Sequence, residues 1–288
     1  REKVPLNYRY GNRGPRRVRR GSAGFLRLLP VVGFAVYFAW YYISNQEEVP
    51  LTGRSQIVDL SRDEEMALGF RSYQEIPGQS AVVTSGREVE LVREIGRRIA
   101  VAARDMDPGF NWEFNLIRSN QANAFALPGG KVAIYTGILP VAENTDGLAV
   151  IMGHEVAHAL ARHGAERMAR QKLLQIGSMA ASFAIGDMNP STQRAVLGAL
   201  GVGAQYGVML PFSRSHESEA DYIGLVLAAR ACFDPREAPG LWERMGANAG
   251  KTPQEFMSTH PAPETRVQQF ETWMPEALAI RAEYCQAR

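Results

Sequence analysis

The sequence predicts an α+β domain, mostly helical with a small β-sheet, preceded by one transmembrane helix. Three observations carry this expectation. Phe25 to Ser44 form an apolar run of the length that spans a bilayer. Further on, apolar residues recur at helical spacing, as in Val89, Val92, Ile95 and Ile99. Trp112, Phe114 and Leu116 instead alternate with polar residues, the period of a strand.

The 288 residues, 45% hydrophobic and 22% charged, suffice for an anchor and one sizeable globular domain. The net charge of +2 conceals an asymmetry: residues 1 to 27 carry nine Lys/Arg against one acid, and the remainder is net acidic. The basic balance belongs to the N-terminal tail, so nothing argues for nucleic-acid binding by the main domain. The two cysteines, Cys232 and Cys285, form no Cys-x-x-Cys motif, which argues against cysteine-based metal chemistry. Whether they pair or remain free thiols is open at this level.

Residues 1–24 read as a disordered basic arm and residues 25–44 as the membrane helix, closed by the interface aromatics Tyr37, Trp40, Tyr41 and Tyr42. No small-residue cleavage site follows, which disfavours a signal peptide. The positive-inside rule places the arm in the cytoplasm, or the mitochondrial matrix, and the rest across the membrane. The arm lacks the Ser-rich amphipathic character of a transit peptide, so the bacterial case is favoured, with the domain in the periplasm; the mitochondrial intermembrane space is the alternative. Residues 45–84 form a juxtamembrane linker and helix, and residues 85–288 the main domain. Ser61 with Glu64, and Ser85 with Glu88, have the spacing of capping boxes that open two helices.

Residues 111–117 predict a strand, 123–130 a short extended segment and turn, and 131–137 a second strand. Asn123, Ala124, Phe125 and Ala126 are candidates for a shelf on which an extended peptide pairs by its main chain, or else part of an ordinary core hairpin. The next helix starts at Thr145 or Asp146 and ends near His163-Gly164, with Leu148, Ile151, Met152, Val156, Ala159 and Leu160 as its buried side. His163 then serves the helix dipole. Residues 165–210 predict a helical hairpin broken at Asp187-Met-Asn-Pro-Ser. Its Gly- and Ala-rich faces suit either tight helix packing or a surface leaning on the bilayer.

The chemistry-bearing stretch is His154-Glu155-Val156-Ala157-His158. On a helix, residues four apart share one face, so two imidazoles converge on one metal ion, and Glu155 is placed to deprotonate a metal-activated water. A hydrolytic zinc site needs a third ligand and an open position. Glu217 and Asp221, again four apart, offer a ligand and an acceptor for a ligand imidazole; His216 is the alternative ligand. Arg214 or Tyr222 is a candidate donor to a transition-state oxyanion, without a choice between them.

These motifs, with Phe212-Ser-Arg-Ser-His-Glu-Ser-Glu-Ala-Asp221 and Asn123-Ala-Phe-Ala-Leu-Pro-Gly-Gly, resemble the HtpX and CAAX-prenyl-protease family of gluzincin metallopeptidases. Thr52-Gly-Arg-Ser-Gln and Ser258-Thr259-His260-Pro261 are similar to the branch of the mitochondrial overlapping-activity peptidase and its bacterial periplasmic relatives. The resemblance implies a zincin-type domain with one Zn2+ per chain held by His154, His158 and Glu217, and Asp221 behind a ligand. It also makes His260 a candidate fourth ligand that holds the enzyme latent.

The expected activity is a membrane-anchored zinc endopeptidase acting on misfolded or stress-exposed membrane and envelope proteins. Its expected partners are protein or peptide substrates and the bilayer, with homo-oligomer formation left open. The competing expectation is a zinc-stabilised chaperone or assembly factor whose protease activity is latent or incidental. A prenyl-protein protease is disfavoured, since that enzyme encloses its site among several membrane helices and this chain offers one.

Overall fold

The structure, a computed structural model, describes residues 23–75, 81–107, 109–248, 260 and 265–286. The basic arm up to residue 22, and the neighbours of His260 on both sides, lie outside them. Helix α1 (Ala23–Ser44) leads into a two-stranded hairpin, β1 (Gln46–Glu48) and β2 (Ser55–Ile57), and then α2 (Arg62–Glu75). The Ser61–Glu64 capping box forms as expected, with the Glu64 carboxylate accepting from the Ser61 amide at 2.9 Å and the Glu64 amide donating back to Ser61 Oγ at 3.3 Å. The second box does not form: α3 (Arg87–Ala102) is entered through Gly86 at φ 122°, and no side chain caps it.

The main sheet has the order β3-β4-β6-β5, from β3 (Ala81–Val83), β4 (Glu113–Arg118), β5 (Ala124–Leu127) and β6 (Lys131–Tyr135). Strands β4 and β6 are parallel, and the outer pairs are antiparallel. The segment 124–127 is therefore the sheet edge, as a peptide-pairing shelf requires. Val89, Val92, Ile95 and Ile99 of α3 bury against the sheet and the helix behind it. At Gly96 the Phe114 ring occupies the space a Cβ would need.

After the short α4 (Leu139–Ala142), helix α5 (Thr145–Leu160) runs through the middle of the core. The Asn144 side chain caps it, accepting from the Gly147 amide at 2.8 Å, in place of the expected Thr145 or Asp146. Asp146 is otherwise engaged, accepting from the Asp234 amide. Helix α5 is buried nearly all round, more completely than the one-sided face expected of it. It ends at Leu160, and Arg162 turns the chain in the left-handed conformation, φ 55°. The buried Arg162 guanidinium is held there by Glu65 at 2.7 Å and by Glu47. His163 consequently opens α6 (His163–Ala184) rather than closing α5.

The predicted hairpin is present, α6 followed by α7 (Pro190–Ala204), with Asn189 capping the second arm. Among the described residues its glycines do not pack as the tight-packing reading requires: a Cβ at Gly198, Gly201, Gly203 or Gly207 would meet none of their atoms within 4 Å. Leu200, Val202, Tyr206 and Val208 are exposed on the same arm. Only Gly177 on the first arm is a packing glycine, under the Phe34 ring of α1. Helix α7 continues through a widened π turn at 205–209 straight into α8 (Leu210–Arg230). Pro211 lacks a backbone N–H, and a widened turn lets the helix pass it. The continuous stretch Pro190–Arg230 is thus the helix long and apolar enough to cross a membrane among the described residues; the apolar part of α1, Leu28–Ser44, is shorter.

Helices α5 and α8 form the most extensive helix pair. They cross where Gly153 faces Gly224, so closely that a Cβ on Gly224 would lie 2.6 Å from the His154 amide nitrogen. That contact brings the motif face of α5 up to the Glu217–Asp221 face of α8. Helices α9 (Glu237–Asn248) and α10 (Arg266–Cys285) close the far side, and a Cys232–Cys285 disulfide ties the end of α8 to the end of α10.

Candidate metal centre

His154 and His158 lie one turn apart on α5 with their Nε2 atoms 3.1 Å from each other. The Glu217 carboxylate of α8 stands 3.3 Å from His154 Nε2 and 3.5 Å from His158 Nε2. His260 joins them, its Nδ1 3.1 Å from Glu217 Oε2 and 3.3 Å from His154 Nε2. One donor atom from each of the four lies within 4.8 Å of all the others.

The donors fit a cation on chemical grounds. His154 directs Nδ1 to Asp221 Oδ1 at 2.9 Å, so its Nδ1 carries a proton and its lone pair points inward. Two imidazole nitrogens and a carboxylate then converge in a dry interior, an arrangement that positive charge must reconcile. Burial alone would depress the His154 pKa, yet Asp221 and Glu217 raise it to about 9. A divalent metal bound to these donors would displace the proton that the raised His154 pKa retains. Burial favours the neutral acid of Glu217, but the imidazoles of His158, His154 and His260 hold its carboxyl well below the usual range.

Glu155 faces the same space. Burial pushes its pKa up, the backbone amide of Ala126 hydrogen-bonds its carboxylate, and Oε1 is buried with no hydrogen-bond partner among the described residues. The nearest cationic candidate for that oxygen is His260, whose Nε2 stands 3.6 Å away, too far for a hydrogen bond. The Ala126 contact also ties edge strand β5 directly to the motif.

The Peptidase family M48 model matches residues 86–274. The chain belongs to this family. It is 38% identical over 246 residues to the mitochondrial metalloendopeptidase OMA1 of Schizosaccharomyces pombe, an alignment covering 84% of this chain and 70% of that protein. It is 30% identical over 269 residues to the OMA1 metalloendopeptidase of Homo sapiens, covering 89% and 51%. To the beta-barrel assembly-enhancing protease of Escherichia coli strain K12 it is 28% identical over 232 residues, covering 78% and 47%. The chain thus spans about half the length of the last two proteins.

Other expected residues of this M48 metalloendopeptidase fall outside the cluster. His216 Nε2 binds Glu166 at 2.8 Å, which removes it as a rival ligand. Tyr222 donates to Glu276 at 2.9 Å, and the exposed Arg214 lines a separate cavity with Tyr222, Thr52 and Trp273. Neither belongs to the donor cluster, which among the described residues consists of His154, His158, Glu217 and His260. His163 is buried, held neutral by that burial and by the neighbouring His216 and Arg54.

Arg266 has no sequence signal, yet it is central. At the start of α10 it pairs with Asp221 through Nε and Nη2 and lies 3.6 Å from Glu217. It recruits a fourth element to the back of the site.

Proposed function

We propose that the protein is a membrane-anchored, zinc-dependent endopeptidase that hydrolyses peptide bonds of misfolded or stress-exposed membrane and envelope proteins. The carrying observation is the convergence of His154, His158 and Glu217 beside a buried Glu155 whose Oε1 accepts no hydrogen bond among the described residues. These three residues hold one Zn2+, and Asp221 orients His154. Bound there, zinc supplies Lewis acidity toward water and the scissile carbonyl. Glu155 takes the proton of the attacking water and returns it to the leaving amine, a role its raised pKa suits. Substrate lies extended along Asn123, Ala124, Phe125 and Ala126, adding a strand to the free edge of β5.

His260 is the latent fourth donor, a switch that substrate or an activating event must displace. Its 3.6 Å approach to Glu155 supports this reading, because it sits in the space the general base serves. Helix α1 anchors the chain, with exposed Val32, Val36, Trp40 and Ile43 turned away from the domain. The Cys232–Cys285 disulfide supports an oxidising compartment, the bacterial periplasm or, alternatively, the mitochondrial intermembrane space. One relative is named as mitochondrial and another comes from a bacterium, so neither alternative is favoured by the relatives.

A second reading, an assembly factor with incidental protease activity, is favoured by His260 completing the donor set. Complementation of a deletion phenotype by Glu155→Gln would select it. The primary reading is tested by metal analysis and casein cleavage on purified protein. One zinc per chain, with cleavage abolished by chelator and restored by zinc, is expected; chelator-insensitive cleavage would refute it.

A further inference from the structure

Behind His158 a line of hydrogen bonds runs out of the core toward the membrane helix. His158 Nδ1 lies 2.8 Å from His163 Nδ1, and His163 Nε2 lies 3.0 Å from Glu219 Oε2. Glu219 also accepts from Thr52 Oγ1 at 2.5 Å and from Arg54 Nε at 2.8 Å. Thr52 and Arg54 belong to the β1–β2 hairpin, which follows directly on α1.

Proton accounting gives this line a direction. A carboxylate only accepts, so His163 Nε2 carries a proton toward Glu219; with His158 Nε2 as the ligand atom, the ring proton of His158 sits on Nδ1 and the His163 Nδ1 that faces it is a bare lone pair. His158 Nδ1 is then the donor. His158 Nε2 is left unprotonated, and it is the atom that points at Glu217 and His154. The His163 ring is fixed in place by stacking on His216, with centroids 4.0 Å apart and planes 12° from parallel. His216 is held by Glu166, and Arg54 grips that carboxylate as well at 2.8 Å.

We infer that His163 is a positioning residue for the His158 ligand, and that Glu219, Thr52 and Arg54 make it a relay through which the hairpin beside the membrane helix sets that ligand's tautomer and aim. No atom of the relay touches the reacting groups. This inference rests on the metallopeptidase reading and extends it: the metal site is braced by Asp221 and Arg266 behind His154, and by a separate, membrane-side chain behind His158.

The test uses the full chain and measures zinc affinity by chelator competition, together with the visible spectrum of the cobalt-substituted protein. His163→Phe keeps a ring against His216 but offers no acceptor. Loss of a partner behind a metal ligand costs about 10–100-fold in affinity, the fall expected here, together with shifted cobalt bands. His163→Asn, which returns an acceptor near the Nδ1 position, should recover most of that loss. His163→Phe with wild-type zinc affinity and an unchanged cobalt spectrum would overturn the relay. Nitrogen NMR of the zinc-loaded wild type needs no variant: His158 protonated on Nδ1 and His163 on Nε2 is expected, and His163 protonated on Nδ1 would overturn it. A wild-type chain that binds neither zinc nor cobalt would defeat the metallopeptidase reading itself, and the relay with it.

Discussion

The Arg266 guanidinium closes on the Asp221 carboxylate through both Nε and Nη2 while lying 3.3 Å from the centroid of the Trp242 ring. Asp221 is thereby fixed from behind, and its Oδ1 meets His154 Nδ1 at 2.9 Å. Asp221→Asn keeps the shape but removes the charge that holds His154 to one tautomer. Zinc affinity should fall by about 10–100-fold with the fold retained, read by chelator competition and circular dichroism. Unchanged affinity would show that His154 needs no such brace.

The Cys232–Cys285 bridge closes a loop with a sequence separation of 53 residues and staples α10, which carries Arg266, to α8, which carries Glu217. Restricting a loop of that length in the unfolded chain contributes about 4 kcal/mol in the chain-entropy model. The double Cys→Ser variant should therefore melt about 10 °C lower, given the usual shift per kcal/mol for a domain of this size. Differential scanning calorimetry in non-reducing buffer checks this.

Glu166 predicts how acid acts on the fold. Burial works against its ionisation, but hydrogen bonds from His216 and Arg54 prevail and hold its pKa at about 2, against 4.5 for an ordinary glutamate. A carboxyl with a depressed folded pKa contributes stability that is fully present above the unfolded value and is lost as pH falls toward the folded one. Melting temperature should decline between about pH 4.5 and pH 2, and Glu166→Gln should flatten that decline while lowering stability at pH 7. A wild-type profile already flat across this window would contradict the assignment.

His260 makes the latency reading measurable. His260→Ala should raise basal casein cleavage several-fold and weaken zinc binding, since it removes a donor that also approaches Glu155 at 3.6 Å. If neither quantity changes, the switch is wrong.

The parts of the site that lie on one helix face were legible in the sequence. His154 and His158, like Glu217 and Asp221, are four apart, and helical geometry dictates their convergence without tertiary information. The strand alternation around Phe114 and the Ser61–Glu64 cap were legible for the same reason. The roles of Arg266, Glu219, Thr52 and Arg54 were not, because each acts across a long stretch of chain; the Thr52–Glu219 contact alone spans 167 residues, and His163, only five residues from its partner His158, read as a helix-dipole residue instead. Local rules failed where tertiary contacts competed. Asp146 was recruited by the Asp234 amide, leaving the cap to Asn144, and the α7 glycines, placed like packing residues, face nothing within 4 Å among the described residues.

The most direct test of the central claim is casein cleavage by zinc-loaded Glu155→Gln. The substitution leaves the donors His154, His158, Glu217 and His260 untouched and removes only the buried base. The variant should bind one zinc per chain and lose cleavage by a factor of about 10² or more, the contribution of a positioned general base. A zinc-loaded Glu155→Gln variant that cleaves casein at the wild-type rate would contradict the account.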